Sequence, residues 1–135
     1  MRALVSGLIG VLALAVPLSG AGAAEACWRA DDKTAVRIAG TLAAVAFVHP
    51  GNQSRQTAYV IRLAAPACAD VTGMDGRVSR VAGIMRVQLA GDLDFARLRA
   101  LRGKRVAARG TLFPQHTAYH ITPVLLLVTA IDAAR

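Results

Sequence analysis

The chain reads as an all-β domain with one short helix, in the order β-β-β-α-β-β, behind an apolar leader. Three observations predict this class. Several short runs alternate apolar with polar or small residues at the two-residue period of a half-buried strand. One segment, Leu93, Phe95, Leu98 and Leu101, has helix-like spacing between a capping acid and a glycine. Clusters of Gly, Pro, Asn and Asp punctuate the runs.

The leader comes first. Arg2 supplies a short positive region, and Ala3–Leu18 holds only apolar or small side chains, with Pro17 near its end. Ser19-Gly20-Ala21-Gly22-Ala23-Ala24 is small-residue chemistry with two A-x-A-like sites, so cleavage is expected after Ala23 or Ala24. The apolar run is shorter than the ~20 residues that span a hydrocarbon core, and no second such span follows. Residues 1–24 therefore read as a secretory signal peptide, not a membrane anchor. A lipid-anchored reading is weaker, because Ala24-Glu25-Ala26 before Cys27 lacks the expected leucine and small residue. What remains, residues 25–135, has the length of a single domain able to bury one core. A periplasmic or secreted protein is the expectation.

Cys27 and Cys68 are the only cysteines. In an oxidising compartment a single pair most simply forms one disulfide. A hairpin of Val36–Val48 and Thr57–Leu63 around Gly51-Asn52 would set the start of its first strand beside the end of its second. Cys27 and Cys68 would then lie at the same end of the sheet, with Trp28 packed close by. Two distant thiols are too few for a metal site.

Beyond the leader the chain keeps 15 of its 16 Lys/Arg and all 8 Asp/Glu, a formal +7. Such a balance admits nucleic acid or an anionic surface as partner. Over the whole chain Arg outnumbers Lys fourteen to two, which genome composition could also produce. The densest cluster is Arg97, Arg99, Arg102, Lys104, Arg105 and Arg109. On a helix followed by a strand these do not share one face, and the reading is a solvated surface. For an exported chain the anionic partners would be lipid, glycan or an acidic protein before DNA.

Element by element, Ala26–Lys33 reads as an irregular lead-in. Val36–Leu42 alternates, and apolar character continues to Val48. Gly40 inside this strand predicts a bulge or a sharp bend. His49–Ser54 is loop chemistry. Tyr59, Ile61 and Leu63 give the second strand its buried face, and Pro66–Arg80 reads as a long connection. Met85, Val87 and Leu89 mark the third strand, alternating with Arg86 and Gln88. Asp92 is the expected N-cap of the helix and Gly103 its left-handed terminator. Two strands follow, about Lys104–Phe113 and Pro123–Ile131, separated by a polar stretch. This order is that of an oligonucleotide/oligosaccharide-binding (OB) type of barrel, five-stranded and partly open, with a helix between its third and fourth strands. Gly-Thr-Leu occurs at both Gly40–Leu42 and Gly110–Leu112, as coiled strands of a small barrel require. An open α+β sheet is the competing arrangement.

The most distinctive segment is Gly110–Leu126. It holds His116 and His120, Tyr119, Pro114 and Pro123. Histidines four apart share a face on a helix or a strand, but two imidazoles without a nearby carboxylate make half a metal site. His49 is a third candidate ligand if the fold brings it in. A nucleophilic reading fares no better, since no serine lies in the segment and no cysteine is free if the bridge forms. Three readings remain for His116, Thr117, Tyr119, His120 and Thr122. They satisfy backbone groups in an irregular turn, they recognise a ligand or protein from a loop between barrel strands, or they serve catalysis or metal binding.

Gly110-Thr111-Leu112-Phe113, His116-Thr117, His120 and Thr122-Pro123-Val124-Leu125-Leu126, preceded by Leu101, Gly103, Lys104 and Val106, resemble a bacterial exported family known as domain of unknown function 4431. Pro66-Ala67-Cys68 is similar to it too. The likeness runs from about Val36 to Ile131 and is most specific from His116 to Val124. Tyr119 and Ile121 stand where members carry a more histidine-rich core. The resemblance implies a small exported domain and brings no established activity.

The functional expectation is a non-enzymatic binding or interaction module without a cofactor, with an inhibitor or immunity-type protein as one form of it. Its partner would be an envelope protein, a glycan or an anionic lipid surface. Metal binding through His116 and His120 is the alternative, and nucleic-acid binding the weakest. Base stacking needs aromatic platforms, and only six aromatic residues follow the leader.

Overall fold

The computed structural model describes residues 26–135; the signal peptide expected over 1–24 lies outside the described residues. Six strands and one helix follow in order: β1 (Trp28–Ala30), β2 (Ala35–Val48), β3 (Arg55–Thr72), β4 (Val78–Ala90), α1 (Phe95–Leu101), β5 (Arg105–Pro114) and β6 (Val124–Ala133). Five of the strands close a ring. β2 pairs antiparallel with β3, β3 with β4 and β5 with β6; β4 and β6 run parallel, and β5 returns to β2. This is the OB arrangement. Its thinnest seam is the parallel one, with three partners from Gln88↔Leu125 to Ala90↔Leu127.

β2 belongs to both halves of the barrel. Ala35–Thr41 pairs with β5, and Thr41–Val48 pairs with β3. At the crossing, a Cβ on Gly40 would overlap the Arg62 carbonyl oxygen and the Ile61 side chain. Gly40 thus allows two backbones to approach, and its register with Val106 is regular. The irregularity is in the β5–β6 pairing instead, where Arg109 and Gly110 oppose Ala130 and Val128 and leave Thr129 as the extra residue on β6. Gly110 makes the equivalent close approach, to the Leu127 carbonyl.

Ile38, Leu42, Ile61, Val87, Leu89, Val106, Leu112, Val124 and Leu126 fill the barrel interior. Leu98 and Leu101 close one end from α1. Asp94, not Asp92, is the N-cap, its carboxylate accepting the Arg97 N–H at 3.1 Å. Phe95 consequently falls on the exposed side of the helix. Gly103, with φ +79°, terminates the helix as its sequence position predicts. Its N–H donates to the Leu42 carbonyl, pinning the helix end to β2.

Three further expectations are corrected. The lead-in contains β1, which pairs parallel with Ala69–Val71 of β3. The long connection is short, because β3 continues to Thr72 and β4 resumes at Val78 around a turn closed by Gly73 N–H donating to the Arg77 carbonyl. Pro66 sits at a register shift in this pairing, where the missing N–H does no harm. Met85 is exposed, because the β3–β4 ladder is irregular beside it while Ile84 turns into the core.

The Cys27–Cys68 disulfide is present, with Cα atoms 4.7 Å apart. Its neighbours arise differently from the hairpin argument, since β2 and β3 diverge beyond Thr41 and Arg62. β1 brings Cys27 to Cys68 instead. Trp28 packs against the core beside the bridge.

Candidate functional site

Ala58, Val60 and Leu125 are buried, yet they take no part in the barrel core. The register explains them. Ala43, Val60, Gln88, Leu125 and Phe113 are successive partners across β2, β3, β4, β6 and β5. Partners in register project to one side of a sheet, and the adjoining Ile61 and Val87 face the interior. The row therefore lies on the outside of the barrel. The β5–β6 connection, residues 115–123, folds back over it.

Gln88 holds that connection in place. Its side-chain amide donates to the Tyr119 carbonyl at 2.9 Å, and its amide oxygen accepts the Ile121 N–H at 2.7 Å. The Gln88 backbone N–H donates to Thr122 Oγ1 at 3.0 Å, and that hydroxyl donates to the Val124 carbonyl at 2.7 Å. Gln88 and Thr122 are the only buried polar residues among those described, and no buried side-chain polar atom lacks a partner. Gln115 N–H donates to the Pro123 carbonyl, closing the base of the loop. The two Thr122 bonds are buried, so losing either would leave an unpaired group, which costs more than the bond itself supplies.

The five sequence candidates divide by role. Thr117 shapes the turn: its carbonyl accepts the His120 N–H, and its hydroxyl accepts the Tyr119 N–H at 3.2 Å. Thr122 is fully buried and is an anchor. His116, Thr117 and Tyr119 are exposed, and His120 is half-buried. His120 Nδ1 accepts the His116 N–H at 3.0 Å. The two imidazoles lie 4.7 Å apart between centroids, each meeting the ring of Phe113 edge-on at 5.7 and 5.8 Å. Burial, and secondarily the neighbouring His116, lower the His120 pKa from its ordinary value.

His49 reaches this loop from the β2–β3 hairpin, but it stacks on Tyr119 at 4.3 Å. Its Nδ1 accepts the Gly51 N–H at 3.0 Å. No group of three His, Cys, Asp or Glu side chains among the described residues could hold a metal ion. The nearest acids in sequence are engaged elsewhere, Asp94 as helix cap and Asp132 with Arg97 at 2.7 Å. On the other side of His116 a cleft of about 260 Å³ opens between Phe113, Pro114, Met74 and Asp32.

Gln88 and Phe113 are the residues that sequence reasoning missed. Alternation puts Gln88 on the outer face, correctly, and an outer glutamine reads as solvated. A polar residue inside Val87-Gln88-Leu89, next to a motif with few regular hydrogen bonds, was the available signal.

No curated protein matches the chain. The model of a domain of unknown function, DUF4431, matches residues 86–132, from the strand carrying Gln88 through the whole of the loop and β6. The matched stretch takes in the end of the anchoring strand, the helix and the displayed loop, and over these residues the chain is similar to the DUF4431 family.

Proposed function

We propose that this protein is a non-enzymatic binding module that works after export, in the periplasm or outside the cell, and recognises an envelope partner through its 115–123 loop. One observation carries the reading. His116, Thr117 and Tyr119 stand exposed on a loop whose backbone is fixed from beneath by Gln88 and Thr122. A recognition surface ordered before binding avoids much of the entropy cost of ordering it on contact. The His49–Tyr119 stack adds the β2–β3 hairpin to the same surface. In OB-type barrels these two connections flank the ligand-binding face. An inhibitor or immunity-type protein that blocks an envelope enzyme is one form of this module. The disulfide suits an oxidising compartment. No helix among the described residues is long and apolar enough to cross a membrane.

The test is capture from an envelope extract with the immobilised mature chain, beside a His116→Ala/Tyr119→Ala variant of matched melting behaviour. A partner retained by the wild-type chain and lost from the variant supports the reading. Identical captures by both, or turnover of a substrate by the purified chain, would overturn it.

A further inference from the structure

A second surface lies on the barrel exterior, next to the loop and made of different residues. Arg105, Thr41, Arg62 and Arg86 are successive register partners across β5, β2, β3 and β4. Arg37 and Arg109 face each other on β2 and β5, one step beyond the Ala39↔Ala107 pair. Gly40, Ile61, Val87 and Val106 alternate with these positions and are buried, so all five arginines project outward. All five are exposed, and none forms a salt bridge among the described residues.

Two of these pairings, Arg37↔Arg109 and Arg62↔Arg86, set like charges directly opposite each other. Such pairs destabilise a sheet, so the fold gains nothing from them. The residues between are Ala39, Ala107 and Thr41, too short to screen the guanidinium groups. Arg37 and Arg109, with Arg135, also line a shallow cleft of about 520 Å³. The one acidic side chain lining that cleft, Asp132, is held by Arg97.

We propose that this face binds a linear anionic polysaccharide, its sulfate, phosphate or carboxylate groups taken by the five arginines. Guanidinium forks match such groups bidentately. Strands about 4.8 Å apart, with same-face residues about 6.7 Å apart along each, space the cations at intervals a charged chain can follow. The face wraps over four of the five barrel strands. A planar bilayer can meet only part of so curved a surface, whereas a flexible polymer can track it. No aromatic side chain stands between the arginines to stack a base, which disfavours single-stranded nucleic acid. This inference goes beyond the loop reading and stands without it.

The experiment measures binding of the disulfide-intact mature chain to heparin, a linear sulfated glycan, by calorimetry over a salt series. Vesicles of phosphatidylglycerol with phosphatidylcholine, and oligothymidylate, are run in parallel. Arg37→Gln/Arg62→Gln/Arg109→Gln is expected to weaken heparin binding by about tenfold or more and to lower the slope of log affinity against log salt by roughly 0.7–0.9 per arginine engaged. Arg55→Gln/Arg99→Gln/Arg102→Gln removes the same charge elsewhere and is expected to keep most of the affinity. Arg62→Gln alone, with a smaller loss, serves if the triple variant does not fold. Equal losses in the two triple variants, no heparin binding at physiological salt, or tighter binding to vesicles or oligothymidylate would each overturn the proposal. A Tyr119→Ala variant keeps heparin binding, which separates this face from the loop.

Discussion

The ring of His49 stacks on that of Tyr119 with centroids 4.3 Å apart and planes tilted by 50°. Through this contact two connections from different hairpins meet outside the barrel. The pair is partly solvent-exposed, so its stability contribution is small. Tyr119→Ala should cost about 0.5–1 kcal/mol in urea unfolding while leaving the barrel ladder intact. The diagnostic change is local: the His49 ring resonances should shift and the 49–54 turn should exchange its amides faster. An unaltered His49 spectrum would mean that the loops do not meet in solution.

Gln88 carries more. Its side chain satisfies two backbone groups of the loop, and Gln88→Leu leaves the Tyr119 carbonyl and the Ile121 N–H without partners. A loss of about 1–3 kcal/mol is expected from the stranded groups. Hydrogen exchange at Ile121 should accelerate well beyond the global change. If the variant is as stable as the wild type and Ile121 stays protected, Gln88 is not the anchor.

The Cys27–Cys68 bridge closes a loop with a sequence separation of 41. Loop-closure entropy sets its stabilisation at roughly 4 kcal/mol, as an upper figure. Cys27→Ser/Cys68→Ser should approach that loss in chemical unfolding. β1 is expected to fray first, since its pairing with the sheet is limited to the three partners Trp28↔Ala69 to Ala30↔Val71. A double variant with unchanged stability and protected β1 amides would assign the tethering of β1 to Trp28 packing instead.

Strand order, helix position and disulfide were legible because each rests on local pattern: two-residue alternation, a capping acid with a terminal glycine, and cysteine number. Elements that depend on a partner were not. β1 is three residues long and exists only because Ala69–Val71 offers an edge. Met85 and Gln88 exchange their expected exposures because burial depends on the bulged β3–β4 register and on a loop lying over the outer face. The arginine face escaped for the same reason. Arg62 and Arg86 are far from Arg37, Arg105 and Arg109 in sequence, and only cross-strand register makes them neighbours. The basic cluster visible in the sequence, from Arg97 to Arg109, is divided between helix and sheet as its spacing indicates. At the loop, His116 and His120 were found by their spacing, but their bond through Nδ1 is a matter of turn geometry.

That bond makes the loop sensitive to acid. His120 Nδ1 can accept the His116 N–H only while it carries no proton, and burial, with His116 beside it, lowers the folded-state pKa below the ordinary 6.5. In the unfolded chain the imidazole takes up its proton near that ordinary value. The unfolded state therefore binds more protons in the window between the two pKa values. Stability from this site is fully present above about pH 6.5 and is lost as the pH falls through the window to the folded-state pKa. Below it, the Phe113–His116–His120 cluster should open while the barrel persists. A pH titration of the imidazole resonances should place the His120 midpoint below the ordinary 6.5, and loop amide exchange should rise as His120 charges. His120→Ala should abolish this dependence, leaving the slower acid response of the carboxylates. A His120 midpoint at or above 6.5, or a loop whose exchange ignores its protonation, would show that the imidazole–amide bond does not hold the turn.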